Sequence, residues 1–138
     1  MRKHIEQMSA GEIDFVQWLL TSIRESKEFI ADIDISYHCI MRNLSKKVEH
    51  QITIDEMQQC YLLGDFFEVN TNNNSFRVAL RHNVSLTKSV IIILDLYEST
   101  VITAYGNHAQ DNHQSIDWSQ YNWSTDIRRY LLNGNCCL

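Results

Sequence analysis

The sequence predicts an α+β domain: two or three N-terminal helices packed on a small antiparallel four-stranded sheet, with a short C-terminal helix. Three observations predict it. Two capping boxes of the form S/T-x-x-E, Ser9–Glu12 and Thr53–Glu56, each precede apolar residues at helical spacing. Beyond Gly64 the apolar period shortens to two, most cleanly in SFRVALRH. The strand-like runs are joined by short polar turns, TNNN and Glu98-Ser99.

Ser9 opens a first helix over about 10–30, with Ile13, Val16, Leu20 and Ile23 as its apolar stripe and an acidic face opposite. ADIDIS reads as a linker. Ser36 caps a second helix over about 37–48. Its apolar, core-facing side is Tyr37, Ile40, Met41, Leu44 and Val48, and His38, Arg42 and Ser45 lie together beside that side. The third helix, 54–63, runs from the Thr53 box to Gly64 and is expected to bury Ile54, Met57 and Tyr61.

Strands are expected near 66–70, 75–82, 90–97 and 101–105. In the second, Phe76, Val78 and Leu80 face inward, and Arg77, Ala79 and Arg81 face outward. The third is nearly all apolar, as a central strand covered on both faces would be. In the fourth, Val101, Thr103 and Tyr105 face opposite to Ile102 and Ala104. From 107 the chain turns polar and irregular. Ser124 and Gly134 then mark a helix over about 125–133.

A chain of 138 residues suits one domain with its own core, here a central unit at 36–106 and a polar tail at 107–138. No apolar run reaches the roughly 18 residues of a membrane-spanning helix. MRKHIEQ lacks the apolar segment of a secretory signal. Cys39 and Cys60 sit among apolar neighbours and read as core thiols. Cys136 and Cys137 are expected in a frayed tail. With no Cys-x2-Cys pair, the thiols fit a reducing cytosol, and a cytoplasmic location is expected. There is no proline.

The net charge of −5 opposes nucleic-acid binding by global attraction. Its distribution does not. Residues 36–50 hold Arg42, Lys46 and Lys47 against Glu49 alone, and residues 75–89 hold Arg77, Arg81 and Lys88 with no acid. The acids concentrate between Glu6 and Asp34. A basic cleft in an acidic protein is the reading that follows.

That cleft suits a phosphodiester. Cutting RNA without a metal needs a base for the 2′-hydroxyl, an acid for the departing 5′-oxygen and cations on the phosphate. His38 is the acid/base candidate, because imidazole titrates near neutral pH. Arg42, one turn on, is placed to grip phosphate bidentately. Arg77 and Arg81 add charge from the sheet, and Lys46 and Lys88 extend the substrate-binding surface. Thr103 and Tyr105 offer hydroxyl donors, and Tyr105 a ring for a base to stack on. His82, His108, His113 and Asp111 suggest a metal site, but a third strong ligand at familiar spacing is missing, so neither metal nor cofactor is expected. Only four glycines occur, which leaves no Gly-rich phosphate loop, and no G-x-S-x-G elbow is present.

The run HCIMRNL…ITIDEMQQCYLLGDFFEV…FRVALRH…SVIIILDLYESTVITAY resembles the small toxin-type ribonucleases of the barnase/EndoU/colicin/RelE-like (BECR) group. The resemblance covers about 36–106. It implies metal-free endoribonuclease action, often on tRNA, and a cognate antitoxin or immunity protein as partner. It places catalytic roles on His38, Arg42, Arg81, Thr103 and Tyr105. The acidic net charge departs from the group's usual basicity. The N-terminal helix and the tail with Trp118 and Trp123 lie outside the match. The alternative expectation is a non-catalytic acidic interaction protein, either an inhibitor of a host nucleic-acid-binding complex or an immunity protein.

Overall fold

The computed structural model describes residues 1–26, 34–72, 74–109 and 117–130. One face of a six-stranded sheet is covered by helices α1 (Ala10–Ser26), α2 (Tyr37–Leu44) and α3 (Ile54–Leu63). The strands are β1 (Arg2–His4), β2 (Asp34–Ile35), β3 (Asp65–Asn72), β4 (Ser75–Asn83), β5 (Lys88–Asp95) and β6 (Thr100–His108), in the order β1-β3-β4-β5-β6-β2. All neighbours are antiparallel except β2 and β6. A one-turn helix α4 (Ile127–Tyr130) follows. The α+β class and the β3–β6 meander agree with the sequence reading. The count of four strands does not, because β1 and β2 add an edge on each side. Among the described residues no helix is long and apolar enough to cross a membrane.

Both capping boxes form. Ser9 and Glu12 exchange backbone-to-side-chain bonds at 3.0 and 3.2 Å, and Thr53 and Glu56 at 2.9 and 3.1 Å. Phe76, Val78 and Leu80 of β4 join Val90, Ile92 and Leu94 of β5 under Val16, Leu19 and Leu20 of α1 and Met57, Cys60 and Tyr61 of α3. Cys39 and Cys60 are buried thiols. Arg24 fastens α1 to the end of α3 by donating to the carbonyls of Tyr61 and Gly64 at 2.8 and 2.7 Å. Beneath β1, Lys3 Nζ meets both carboxylate oxygens of Glu12 at 2.9 and 3.0 Å, and Glu12 also accepts the Ile127 amide at 2.9 Å. That buried hub joins β1, α1 and α4.

Several sequence expectations are corrected. The second helix ends at Leu44, followed by a 3-10 turn at Val48–His50. Tyr37, Ile40, Met41, Leu44 and Val48 are exposed, while Cys39 and Asn43 are the buried side. Asn43 decides this, since its amide exchanges two 2.8 Å bonds with the Ile52 backbone. Ile54 is exposed, and Cys60 takes its expected place in the core. Part of ADIDIS is β2, because Asp34 and Ile35 pair with Thr100 and Val101. An extra residue, Ile102, interrupts the β5–β6 register, so Val101 pairs Leu94 on the helical side while Thr103 pairs Ile93 on the open side. Val101 therefore does not share a face with Thr103 and Tyr105. The expected first-helix residues 27–30, Asp111, His113, the last residues of the C-terminal helix, Cys136 and Cys137 lie outside the described residues.

Candidate functional site

The face of the sheet turned away from the helices carries Arg81 and Tyr105. In the β4–β5–β6 ladder Arg81 pairs Ile91 and Ile91 pairs Tyr105, so the two polar side chains share a face with the buried Ile91 between them. Both line a cavity of about 850 Å³, together with Arg2, His4, Glu68, His82 and Tyr121. Its rim also carries Glu6, Asp65 and Asp117, so the hollow is polar and of mixed charge.

Strand β1 delivers Arg2 and His4 to this face. Their ladder partners are Asn70 and Glu68, and alternation sends Lys3 to the helical side. Glu68 follows Phe67, the extra residue of a register shift between Phe66 and Glu68. A buried carboxylate must be partnered, and here all the partners use one oxygen. Oε1 accepts Arg2 Nε at 2.8 Å and the Tyr121 hydroxyl at 2.6 Å, and Arg2 Nη2 lies 2.7 Å from it in an ion pair. Among the described residues no hydrogen bond uses Oε2. The Arg2 guanidinium lies 4.6 Å from the Tyr121 ring centroid, so ring and charge hold each other in place.

The phenols of the cavity are donors. Burial, then the hydrogen bond to Glu68, push the Tyr121 hydroxyl up to about 12. Burial also raises Tyr105, helped by the Glu68 charge and opposed by Arg81 and Arg2. His4 is packed edge-on against Trp118 and Tyr121, with ring centroids 5.4 and 5.6 Å apart. Its Nδ1 accepts the Glu6 amide at 3.2 Å, which puts the proton of the neutral ring on Nε2 and makes His4 a donor too. Arg81 donates to Ser89 Oγ at 2.7 Å and to the His108 carbonyl at 3.2 Å, and forms no ion pair among the described residues. His82, the next residue, makes no side-chain hydrogen bond among them. Among the described residues the cavity thus offers a carboxylate oxygen without a hydrogen-bond partner, an imidazole, a guanidinium without an ion pair and several O–H and N–H donors.

The other sequence-predicted residues lie elsewhere. His38 and Arg42 are exposed on α2, and neither lines the cavity. Lys46, half-buried, follows that helix. Lys88 belongs to the cap of α3, 2.9 Å from Glu56 and 3.2 Å from the Gln51 carbonyl. Thr103 is half-buried on the open face but outside the cavity lining. Arg77 sits 3.9 Å from Asp95 in a separate hollow toward the β3–β4 turn. Among the described residues no group of three or more His, Cys, Asp or Glu side chains is placed to hold a metal ion.

Arg2, His4, Glu68 and Tyr121 were not singled out from the sequence. Two signals pointed at them. Glu68 is a lone acid within the apolar run DFFEV, and Arg2 and His4 stand two residues apart, as on one strand face. Tyr121 carries no such signal. No family model, curated protein or solved structure matches the chain.

Proposed function

We propose that this chain is a metal-independent endoribonuclease toxin of the BECR type. It would cut RNA, with tRNA the first substrate to try, in the cytosol of its own cell or of a cell it is delivered into. A cognate antitoxin or immunity protein would hold it in check. One observation carries the reading: a Glu68 oxygen with no hydrogen-bond partner among the described residues shares a cavity with Tyr105 and with Arg81, which forms no ion pair among those residues.

In the proposed reaction Glu68 Oε2 takes the proton of a ribose 2′-hydroxyl. The 2′-oxygen bonds to the adjacent phosphorus as the bond to the 5′-oxygen breaks. His4, a donor through Nε2, supplies the proton that the departing 5′-oxygen needs. Arg81 and Tyr105 hold the phosphoryl oxygens, on which negative charge builds. The products are a 2′,3′-cyclic phosphate and a 5′-hydroxyl end. The helix–helix–meander order over 37–108 and the absence of a membrane-crossing helix among the described residues fit this reading without requiring it.

The test is purified protein on total RNA in EDTA, wild type beside Glu68→Gln and His38→Ala. Cleavage lost in Glu68→Gln and kept in His38→Ala supports the cavity. The reverse pattern moves the chemistry to α2. A second reading, a non-catalytic interaction protein, is favoured by the exposed apolar side of α2. On that reading RNA stays intact in every lane.

A further inference from the structure

The apolar stripe of α2 faces away from the domain. Cys39 and Asn43, 3% and 8% exposed, form its inner side, while Tyr37, Ile40, Met41 and Leu44 are 76%, 37%, 46% and 58% exposed. Val48, just beyond the helix, is 83% exposed. The orientation of the helix is fixed from both ends. Ser36 ties its start to β6 through the carbonyls of Val101 and Ile102, at 2.9 and 3.3 Å. The Asn43–Ile52 pair ties its last turn to the chain entering α3.

The exposed positions 37, 41, 44 and 48 recur at steps of four, three and four, the spacing of a seam between two packed helices, and Ile40 lies beside them. A contiguous exposed apolar patch on a soluble domain marks an interaction surface. The flanks carry basic residues and no acid: Arg42 on the helix with His38 beside it, Lys46 and Lys47 after it, and no Asp or Glu anywhere in 36–48.

We infer that this stripe docks an acidic amphipathic helix of a partner protein. The partner's apolar ridge would lie along Tyr37, Ile40, Met41 and Leu44, with its carboxylates toward His38, Arg42 and Lys47. Charge selects this occupant. Two copies of α2 paired by a two-fold axis would bring cationic flanks face to face. An anionic membrane would meet a chain of net charge −5 through a helix only about 12 Å long. The inference is independent of the cavity and of any reaction there.

The experiment uses the full chain and a labelled synthetic helix with Leu at heptad positions a and d and Glu at e and g. The same peptide with Lys at e and g is the control. Fluorescence anisotropy should show saturable binding of the acidic helix, weakened by salt, with the basic helix about tenfold weaker or worse. Leu44→Asp and Met41→Asp, both at exposed positions, should each weaken binding about tenfold or more and leave the Tm unchanged. Four results would overturn the inference. One is no binding of the acidic helix, or equal binding of both helices. The second is a concentration-dependent dimer of the wild type that Leu44→Asp abolishes. Sedimentation with phosphatidylglycerol vesicles that Leu44→Asp abolishes is the third. The fourth is a marked fall in Tm for both variants, which would mean that the chain itself covers the stripe.

Discussion

The Tyr121 hydroxyl lies 2.6 Å from Glu68 Oε1, across 53 residues of sequence. Arg2 uses the same oxygen, so one side of the carboxylate is saturated while the other has no hydrogen-bond partner among the described residues. The strand that carries Arg2 is itself held by the tail, since the Asn122 amide donates to the Arg2 carbonyl at 2.7 Å. The segment around Tyr121 is thus part of the site.

That relationship is measurable without any substrate. Burial and Glu68 together hold the Tyr121 phenol up at about 12. Glu68→Gln removes the charge and leaves the burial, so Tyr121 should ionise at lower pH. A phenolate absorbance titration reads this, with Tyr121→Phe subtracted to isolate the one ring. An unchanged titration would mean that the 2.6 Å contact is not populated in solution.

Arg77 and Arg81 both belong to the cleft proposed from the sequence, but they stand four residues apart, toward opposite ends of β4. Only Arg81 lines the cavity, and Arg77 faces Asp95. Arg81→Ala should lower the RNA cleavage rate roughly 100- to 1,000-fold, as loss of one transition-state donor does. Arg77→Ala should leave most of the rate. Cleavage assays on the two variants, with circular dichroism to confirm folding, check the contrast.

Glu12 links stability to pH. Burial works to raise its pKa, but the amides of Ile127 and Ser9, together with Lys3, outweigh that and hold the carboxyl below its ordinary 4.5. A depressed folded-state pKa gives stability that is present above the unfolded value and is lost as pH falls through the folded one. Denaturant titrations should therefore show falling stability below about pH 5, with a shallower slope in Glu12→Gln. Glu12→Ala leaves Lys3 buried and unpaired and should cost about 3–5 kcal/mol at neutral pH.

Gly64 ends α3 where there is no room for a methyl group. A Cβ there would stand 2.4 Å from the Cys60 carbonyl oxygen, which accepts the Gly64 amide at 2.8 Å. Gly64→Ala should cost about 1–3 kcal/mol, a fall in Tm of roughly 4–12 °C by calorimetry.

Cys60 should be inert. Burial pushes its thiol up to about 12, and its Sγ lies 3.4 Å from the Val90 carbonyl in the core. Native alkylation near pH 8, mapped by mass spectrometry, should leave Cys60 unmodified until the protein is unfolded.

Alternation and capping made much of this molecule legible. The two S/T-x-x-E boxes placed the starts of α1 and α3, and the period of two in β4 put Arg77 and Arg81 on the open face. The pairing of Arg81 with Tyr105 across Ile91 needed the strand register as well, which alternation does not give. What stayed hidden depended on distant partners. Strand β1 is three residues long and polar, and only its register against β3 makes Arg2 and His4 site residues. The extra residue Ile102 reverses which neighbours share a face, and nothing in VITAY announces it. The pattern of α2 showed which side chains share a side. It did not show that Asn43, through Ile52, would turn that side outward.

The most direct measurement is RNA cleavage in EDTA by wild type and Glu68→Gln at equal concentration, with product ends analysed. The expected result is wild-type fragments ending in 2′,3′-cyclic phosphate, absent from the Glu68→Gln reaction while that variant keeps the wild-type circular dichroism spectrum. Intact RNA with wild type, or equal cleavage by both proteins, would contradict a ribonuclease site at Glu68.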